Sequence, residues 1–155
     1  MRAVLTRVKS ASVTIDGNVV GKIGQGFLIL LGVTLEDTEA QAVKLADKLV
    51  GLRIFEDEDG KMNRGLETVD GEILVVSQFT LYGNCRKGRR PSFAEAANPE
   101  LGNELYEKFL SICEELGYPP QHGRFGADMQ VESVNDGPVT LILDTEQLMD
   151  TPRRG

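Results

Sequence analysis

The chain has 155 residues, enough to bury one core without a disulfide or metal staple, so one domain spanning 1–155 is expected. With 41% hydrophobic and 26% charged residues it reads as globular; no apolar run approaches the roughly 20 residues of a membrane span, and "MRAVLTRVKS" lacks a signal-peptide core, which points to the cytoplasm. A net charge of −7 argues against a protein that coats nucleic acid non-specifically, and no DNA or membrane partner is expected.

Residues 3–15 alternate loosely through Val4, Val8, Val13 and Ile15, meet "DGN", and resume at Val19 and Val20: strand, turn, strand. "FLILLGV" (27–33) is a continuous apolar run bounded by glycines, the pattern of a strand buried on both faces. A helix follows in "DTEAQAVKLADKLVG": Thr38 and Gln41 have capping-box spacing, Ala42, Leu45, Ala46 and Leu49 share a face, and Gly51 suits the stop. "ILVVSQFTLYG" predicts a second buried strand from Ile73 toward Leu81. In "NPELGNELYEKFLSICEELGYPP", Asn98 can cap, Pro99 occupies the first turn, and Leu101, Leu105, Phe109, Ile112 and Leu116 form a stripe before Gly117 and Pro119-Pro120. "ADMQVESV" then alternates, and "PVTLILD" reads as a closing strand; "TPRRG" is expected to fray. Strands and helices do not alternate regularly, so the fold class is α+β, mixed β-sheets with two helices packed on them.

Most chemistry-bearing stretches have a plain structural explanation. The glycines of "GKIGQGF" lead into a strand and lack the Lys-Ser/Thr ending of a phosphate loop, so a hairpin or bulge is expected. "EDEDGK" lacks the spacing and terminal Glu of a calcium loop and reads as a solvated turn. Cys85 and Cys113 have no CxxC or zinc spacing and read as reduced thiols; a single histidine, His122, argues against a histidine-based metal cage, and no metal or cofactor is expected. His122 has no Ser or Cys nucleophile motif beside it, and Met129 at an alternating position suits core packing. "SQFTLYGNCRKGRRPSF" is more informative. Ser77, Gln78 and Thr80 are polar groups ending an apolar strand, where a sheet holds the backbone and a loop admits substrate. Arg86, Lys87, Arg89 and Arg90 then offer donors to phosphate, although a solvated loop explains them equally well.

One stretch asks for more. In "VESVNDGPVTLIL", Asp136-Gly137 announces a tight turn, yet Pro138 has no N–H for a ladder and is tolerated only at a strand's first residue, an edge or a bulge.

Taken together, "SQFTLYG" with "RKGRRPSF", "GRFGADMQV" and "NDGPVT", supported by "MRAVLTRVKSASV", "LILLGV" and "LRIFEDEDGKMN", resemble the D-aminoacyl-tRNA deacylases, historically D-tyrosyl-tRNA deacylases. The resemblance covers nearly the whole chain; Asn84 and Gly102 stand where the family usually has Asp and Ala. It implies a single-domain deacylase-like fold, a homodimer, aminoacylated tRNA as partner, and hydrolysis of the ester joining a D-amino acid to the terminal adenosine. It further implies that Ser77, Gln78, Phe79 and Thr80 line the site, with N–H groups near Phe79 and Thr80 facing the developing oxyanion.

In the family the Gly-Pro peptide is cis and reaches into the partner subunit's site. Carried over, Gly137 and Pro138 reject an L-amino acid by clash with main-chain oxygens, and Arg7 braces them, with Met129 alongside as a second support. Glycine escapes such a clash, so glycyl-tRNA mischarged on tRNA-Ala is a further expected substrate. Arg86, Lys87, Arg89 and Arg90 become tRNA contacts. Thr80 is the obvious nucleophile but has no adjacent base, and a route assisted by the ribose 2′-hydroxyl is preferred. The competing class is a non-catalytic tRNA-binding or proofreading adaptor.

Overall fold

A computed structural model describes residues 1–149; "TPRRG" lies outside them. The elements are β1 (Arg2–Ile15), β2 (Asn18–Ile23), β3 (Gly26–Gly32), α1 (Glu39–Val50), β4 (Phe55–Glu56), β5 (Met62–Arg64), α2 (Leu66–Val69), β6 (Glu72–Ser77), a 3-10 turn (Phe79–Tyr82), α3 (Pro99–Glu115), β7 (Gln121–His122), β8 (Gln130–Asp144) and α4 (Thr145–Leu148). One mixed sheet runs β2-β1-β3-β6-β7, with β8 on the remaining edge of β1, and β4-β5 form a separate hairpin. The α+β reading holds, with two one-turn helices added to the two expected.

The sheet has a core on each face. Ala3, Leu5, Phe27, Ile29, Leu31, Ile73 and Val75 point toward α1 and α3. There they meet the Ala42, Leu45, Ala46 and Leu49 face of α1, all fully buried as its 3.6-residue spacing predicts. In α3, Leu105, Phe109 and Ile112 are buried as expected, but Tyr106, Leu110 and Cys113 share the buried face while Leu116 is exposed. The stripe is thus wider than the sequence reading and rotated toward Tyr106, whose hydroxyl donates to the Val75 and Gly123 carbonyls. Both helix starts behave as read: the Gln41 side chain accepts the Thr38 N–H at 2.7 Å, and the Asn98 side chain accepts the Leu101 N–H at 2.9 Å.

The second, smaller core holds Val8, Ala11, Val13, Ile23, Leu28, Leu74 and Val76 on the opposite face. β3 and β6 serve the two cores with their two faces, whereas in β1 the alternation slips, and its buried positions pass from Ala3 and Leu5 on the first core to Val8, Ala11 and Val13 on the second. The far half of β1 curls with β2 over this face until β2 approaches β6 and β7. A side chain at Gly21 would meet the His122 carbonyl at 3.0 Å, and one at Gly26 would lie 1.8 Å from the Glu72 carbonyl. These two glycines are close-approach points in a nearly closed sheet, consistent with the hairpin or bulge reading of "GKIGQGF".

Two strand readings are corrected. β6 stops at Ser77 instead of reaching Leu81, because the chain tightens into the 3-10 turn there. "ADMQVESV" and "PVTLILD" belong to one strand, β8, paired antiparallel to β1 over nearly its whole length. Asp136-Gly137 makes no hairpin. The register jumps from Thr6↔Thr140 to Val8↔Asn135, so residues 136–139 bulge opposite Arg7. Pro138 therefore stands where no ladder donor is required, on a strand whose other edge has no partner among the described residues. The Gly137–Pro138 peptide is cis.

The "EDEDGK" turn closes the β4-β5 hairpin. The Asp57 carboxylate accepts the Asp59 and Lys61 N–H groups and the Asn63 side chain, which together hold it below the usual carboxylate range. No helix among the described residues is long and apolar enough to cross a membrane.

Candidate active site

β6 delivers Ser77 to the edge of the second core, with its backbone pinned to β3 by the Leu31↔Ser77 pair and a 2.8 Å bond from the Gln78 N–H to the Leu31 carbonyl. The 3-10 turn then projects Phe79 outward, 56% exposed, its ring edge-on to Phe93 at 5.2 Å between centroids. Ser77, Gln78 and Phe79 line a cavity of about 550 Å³ with Phe93, Ala96, Ala97, Phe125, Met129 and Val131. Thr80 is exposed and does not line it. The lining is apolar and aromatic with a small polar edge at Ser77 and Gln78, which suits a flat ring held between aromatic side chains and oriented by a few hydrogen bonds.

The chemistry of that cavity is defined by what its lining can and cannot do with a proton. None of its lining side chains titrates. The Gln78 amide donates to the Thr80 hydroxyl, and an amide N–H cannot accept the proton a nucleophilic hydroxyl must lose. Among the described residues the N–H groups of Phe79 and Thr80 have no acceptor, since the first donor used by the turn is Leu81 to the Gln78 carbonyl. Two main-chain donors are therefore available beside the polar edge. Neither cysteine competes as a nucleophile in this cavity: Cys85 lies outside its lining, and burial pushes the Cys113 thiol up to about 12.

Arg86, Lys87, Arg89 and Arg90 lie on an exposed loop that joins the 3-10 turn to Phe93, so cavity-lining residues flank it in the chain. Its ends are clamped by reciprocal bonds between Asn84 and Ser92, at 2.7 and 2.8 Å, and the Asn84 side chain accepts the Arg86 N–H at 2.9 Å. An Asn supplies that acceptor as well as the Asp usual in the resembling family. None of the four cations forms an ion pair among the described residues, so their charge faces solvent.

Gly137 and Pro138 are not brought to this cavity by their own chain. Val131, which lines it, pairs with Val13, whereas the 136–139 bulge sits opposite Arg7. Six residues of extended strand separate the two positions, about 20 Å at the usual rise. Arg7 is 5% exposed and holds the bulge from below. Its Nε donates to the Asp136 carbonyl at 3.0 Å and its Nη1 to the Ile54 carbonyl at 2.6 Å. The approach is close enough that a Cβ at Gly137, where φ is +126°, would lie 2.7 Å from Arg7 Nη2.

Met129 packs against the second core and lines the cavity directly. Phe93 and Phe125 were not singled out by sequence reasoning as lining residues. Phe125 sits in "GRFGADMQV", and its ring lies against α3 at Gly102, where a Cβ would meet it at 3.0 Å.

A family model described as D-Tyr-tRNA(Tyr) deacylase matches residues 4–144. The chain belongs to the D-Tyr-tRNA(Tyr) deacylase family. A D-aminoacyl-tRNA deacylase from Desulfatibacillum aliphaticivorans is 59% identical over 146 residues, covering 94% of this chain and 100% of the relative. One from Exiguobacterium sibiricum is 60% identical over 144 residues, 93% of this chain and 99% of the relative. A solved structure titled c-Myc DNA Unwinding Element Binding Protein superposes with a TM-score of 0.87 at 42% identity, covering 93% of this chain and 98% of its own. As a member of this deacylase family the chain is an enzyme, a hydrolase. The family's mixed-sheet, single-domain architecture is the one described above.

Proposed function

We propose that this chain, acting as a cytoplasmic homodimer, hydrolyses the ester of D-aminoacyl-tRNA to free tRNA and D-amino acid. The observation that carries the reading is a ring-sized aromatic cavity beside Ser77, Gln78 and two unpaired N–H groups, with no titratable side chain in its lining. The terminal adenine occupies the aromatic cavity, the Phe79 and Thr80 N–H groups stabilise the oxyanion, and the substrate's own ribose 2′-hydroxyl takes the proton of the attacking water as it passes its own to the departing 3′-oxygen. The absence of any base in the lining supports that division of labour.

Selection against L-amino acids comes from main-chain oxygens around Gly137 and Pro138 of a second copy, which project into the mouth of the cavity. Two features support the dimer. The bulge lies about 20 Å along β8 from its own cavity by strand rise. β8 is also a long strand with an open edge and exposed apolar residues, Ile142 at 70% and Val134 at 52%, a surface that a lone soluble chain normally avoids. Rejection by clash acts on the L side chain only, so many D side chains pass, and so does glycine; glycyl-tRNA mischarged on tRNA-Ala is accordingly a substrate.

The direct test is deacylation of D- and L-tyrosyl-tRNA by the purified protein. Release from the D-substrate alone is expected; equal rates on both, or none on either, would sink the proposal. Thr80→Ala is expected to keep activity within about tenfold of wild type, the size of one lost hydrogen bond to a neutral group. Complete inactivity of a folded Thr80→Ala protein would instead make that hydroxyl the nucleophile.

The exposed loop cations Arg86, Lys87, Arg89 and Arg90 contact the acceptor-end phosphates. Replacing two of them by Ala is expected to weaken tRNA binding and to flatten the plot of log K against log salt by about 1 to 2 units, one for each lost phosphate contact. An unaltered slope would remove the loop from the interface. The net charge of −7 disfavours duplex DNA as the partner of the remaining surface.

A further inference from the structure

A second cavity adjoins the first. It has a volume of about 720 Å³, within the range of about 300–1,000 Å³ usual for small-molecule sites, and it shares two walls with the first, Pro99 and Phe125. The two spaces are therefore neighbours across one ring. Their chemistry differs. The first has no charged lining, whereas the second presents Glu100, Asn103 and Glu107 from one side of α3, and His122 and Arg124 from the β7 end. The Gly123 carbonyl engages His122 Nδ1 at 2.7 Å, leaving Nε2 as the free ring nitrogen.

Resting on the deacylase reading, we propose that this second cavity receives the nucleotide preceding the terminal adenosine, a cytidine in every mature tRNA. A single strand whose last base fills the first cavity must lead its chain past a neighbouring wall, and the Phe125 ring is shared by both spaces. Stacking on an aromatic face and hydrogen bonding to base edges are the usual means of holding unpaired nucleotides. The carboxylates match cytosine in particular: its exocyclic N4 amino group donates two hydrogens, and Glu is an established acceptor for it. Arg124 and Asn103 supply the donors that the base's O2 and N3 or the linking phosphate require. Uracil carries an acceptor, O4, where cytosine carries the amine, so the same carboxylates repel it. An apolar D-amino-acid side chain is the poorer occupant, because it would leave two carboxylates and a guanidinium without partners.

The test uses the full chain and D-tyrosyl esters of adenosine, of the dinucleotide CpA and of UpA. Wild type is expected to hydrolyse the CpA ester with a kcat/KM about tenfold above the adenosine ester, and about tenfold above the UpA ester, the discrimination of one good base contact. Glu107→Ala and Arg124→Ala are expected to lose that advantage on CpA while the adenosine ester falls less than about twofold, since only the lost base contact separates the two substrates. Asn103→Ala, an exposed helix position, serves as a further variant whose folding is not in question. Equal wild-type rates on all three esters would overturn the proposal and leave the deacylase reading intact. So would variants that lose equally on adenosine and CpA, which would put the amino acid in the second cavity. Inertness toward the esters and toward D-tyrosyl-tRNA would bring down the deacylase reading and this proposal together.

Discussion

Arg7→Ala is expected to destabilise the fold by about 3 kcal/mol and to lower the melting temperature by about 10 °C for a chain of this length. The guanidinium ties two distant segments together. It is nearly fully buried and bonds two carbonyls from distant segments, Ile54 before the β4-β5 hairpin and Asp136 at the start of the bulge. Charge-assisted bonds of this kind contribute about 1.5–3 kcal/mol each, and truncation leaves both carbonyls without their donor. The Asp136 and Glu56 carboxylates, at 3.6 and 3.9 Å, add less: both lie beyond hydrogen-bond distance, Glu56 is exposed and Asp136 is half-buried, so water screens the pairs.

Arg7→Lys is expected to recover less than half of the loss, because one ammonium on a flexible stem cannot reproduce the fork. Denaturant unfolding measures the stability. The informative companion is the ratio of D- to L-tyrosyl-tRNA hydrolysis: a loosened bulge loses its position, so the ratio falls more than the rate on the D-substrate does. An Arg7→Ala protein that is less stable but equally selective would separate the brace from chiral rejection.

Ile142→Glu is expected to halve the solution mass, from twice 17.0 kDa to 17.0 kDa by light scattering, with little change in the fold of the single chain. At 70% exposure the side chain contributes little within its own subunit, and a surface substitution there costs about 0.5 kcal/mol or less. A two-fold interface would bury two new carboxylates, one from each subunit, and unpaired buried charge is strongly disfavoured. In the proposed dimer, losing the second copy would remove its Gly137 and Pro138 from the cavity mouth. The monomer is therefore expected to hydrolyse L-tyrosyl-tRNA along with any D-substrate it still cleaves. A persistent dimer would exclude this face from the interface, and a monomer that still discriminates D from L would place the selecting group within one subunit.

The contrast between Ile142 and Leu143 marks the limit of the sequence. "PVTLILD" is apolar enough to read as a core strand, and Leu143 is indeed buried against Ala3, but its neighbour Ile142 faces solvent in the single chain. Hydrophobicity reports that a surface must be covered; it does not say whether the cover is the same chain or another. A similar limit applies to "NDGP". Its residues exclude an ordinary ladder, but the choice between hairpin and bulge depended on β1, whose Arg7 is 129 residues away in the chain from the carbonyl it holds.

Elements with local causes were legible in the residues alone. The periodic face of α1, the Asn98 and Gln41 caps, the strand at 27–33 and the family motifs were legible because side-chain spacing and capping chemistry act within a few residues. The site came from long-range packing. Ser77 to Phe79, Phe93 to Pro99 and Phe125 to Val131 converge because the sheet curls past β2 and carries their strand ends and loops to one mouth. That curl arises from a slip in the alternation of β1 and from two glycines that let backbones meet, and its result is a sum over contacts between segments that no local pattern encodes.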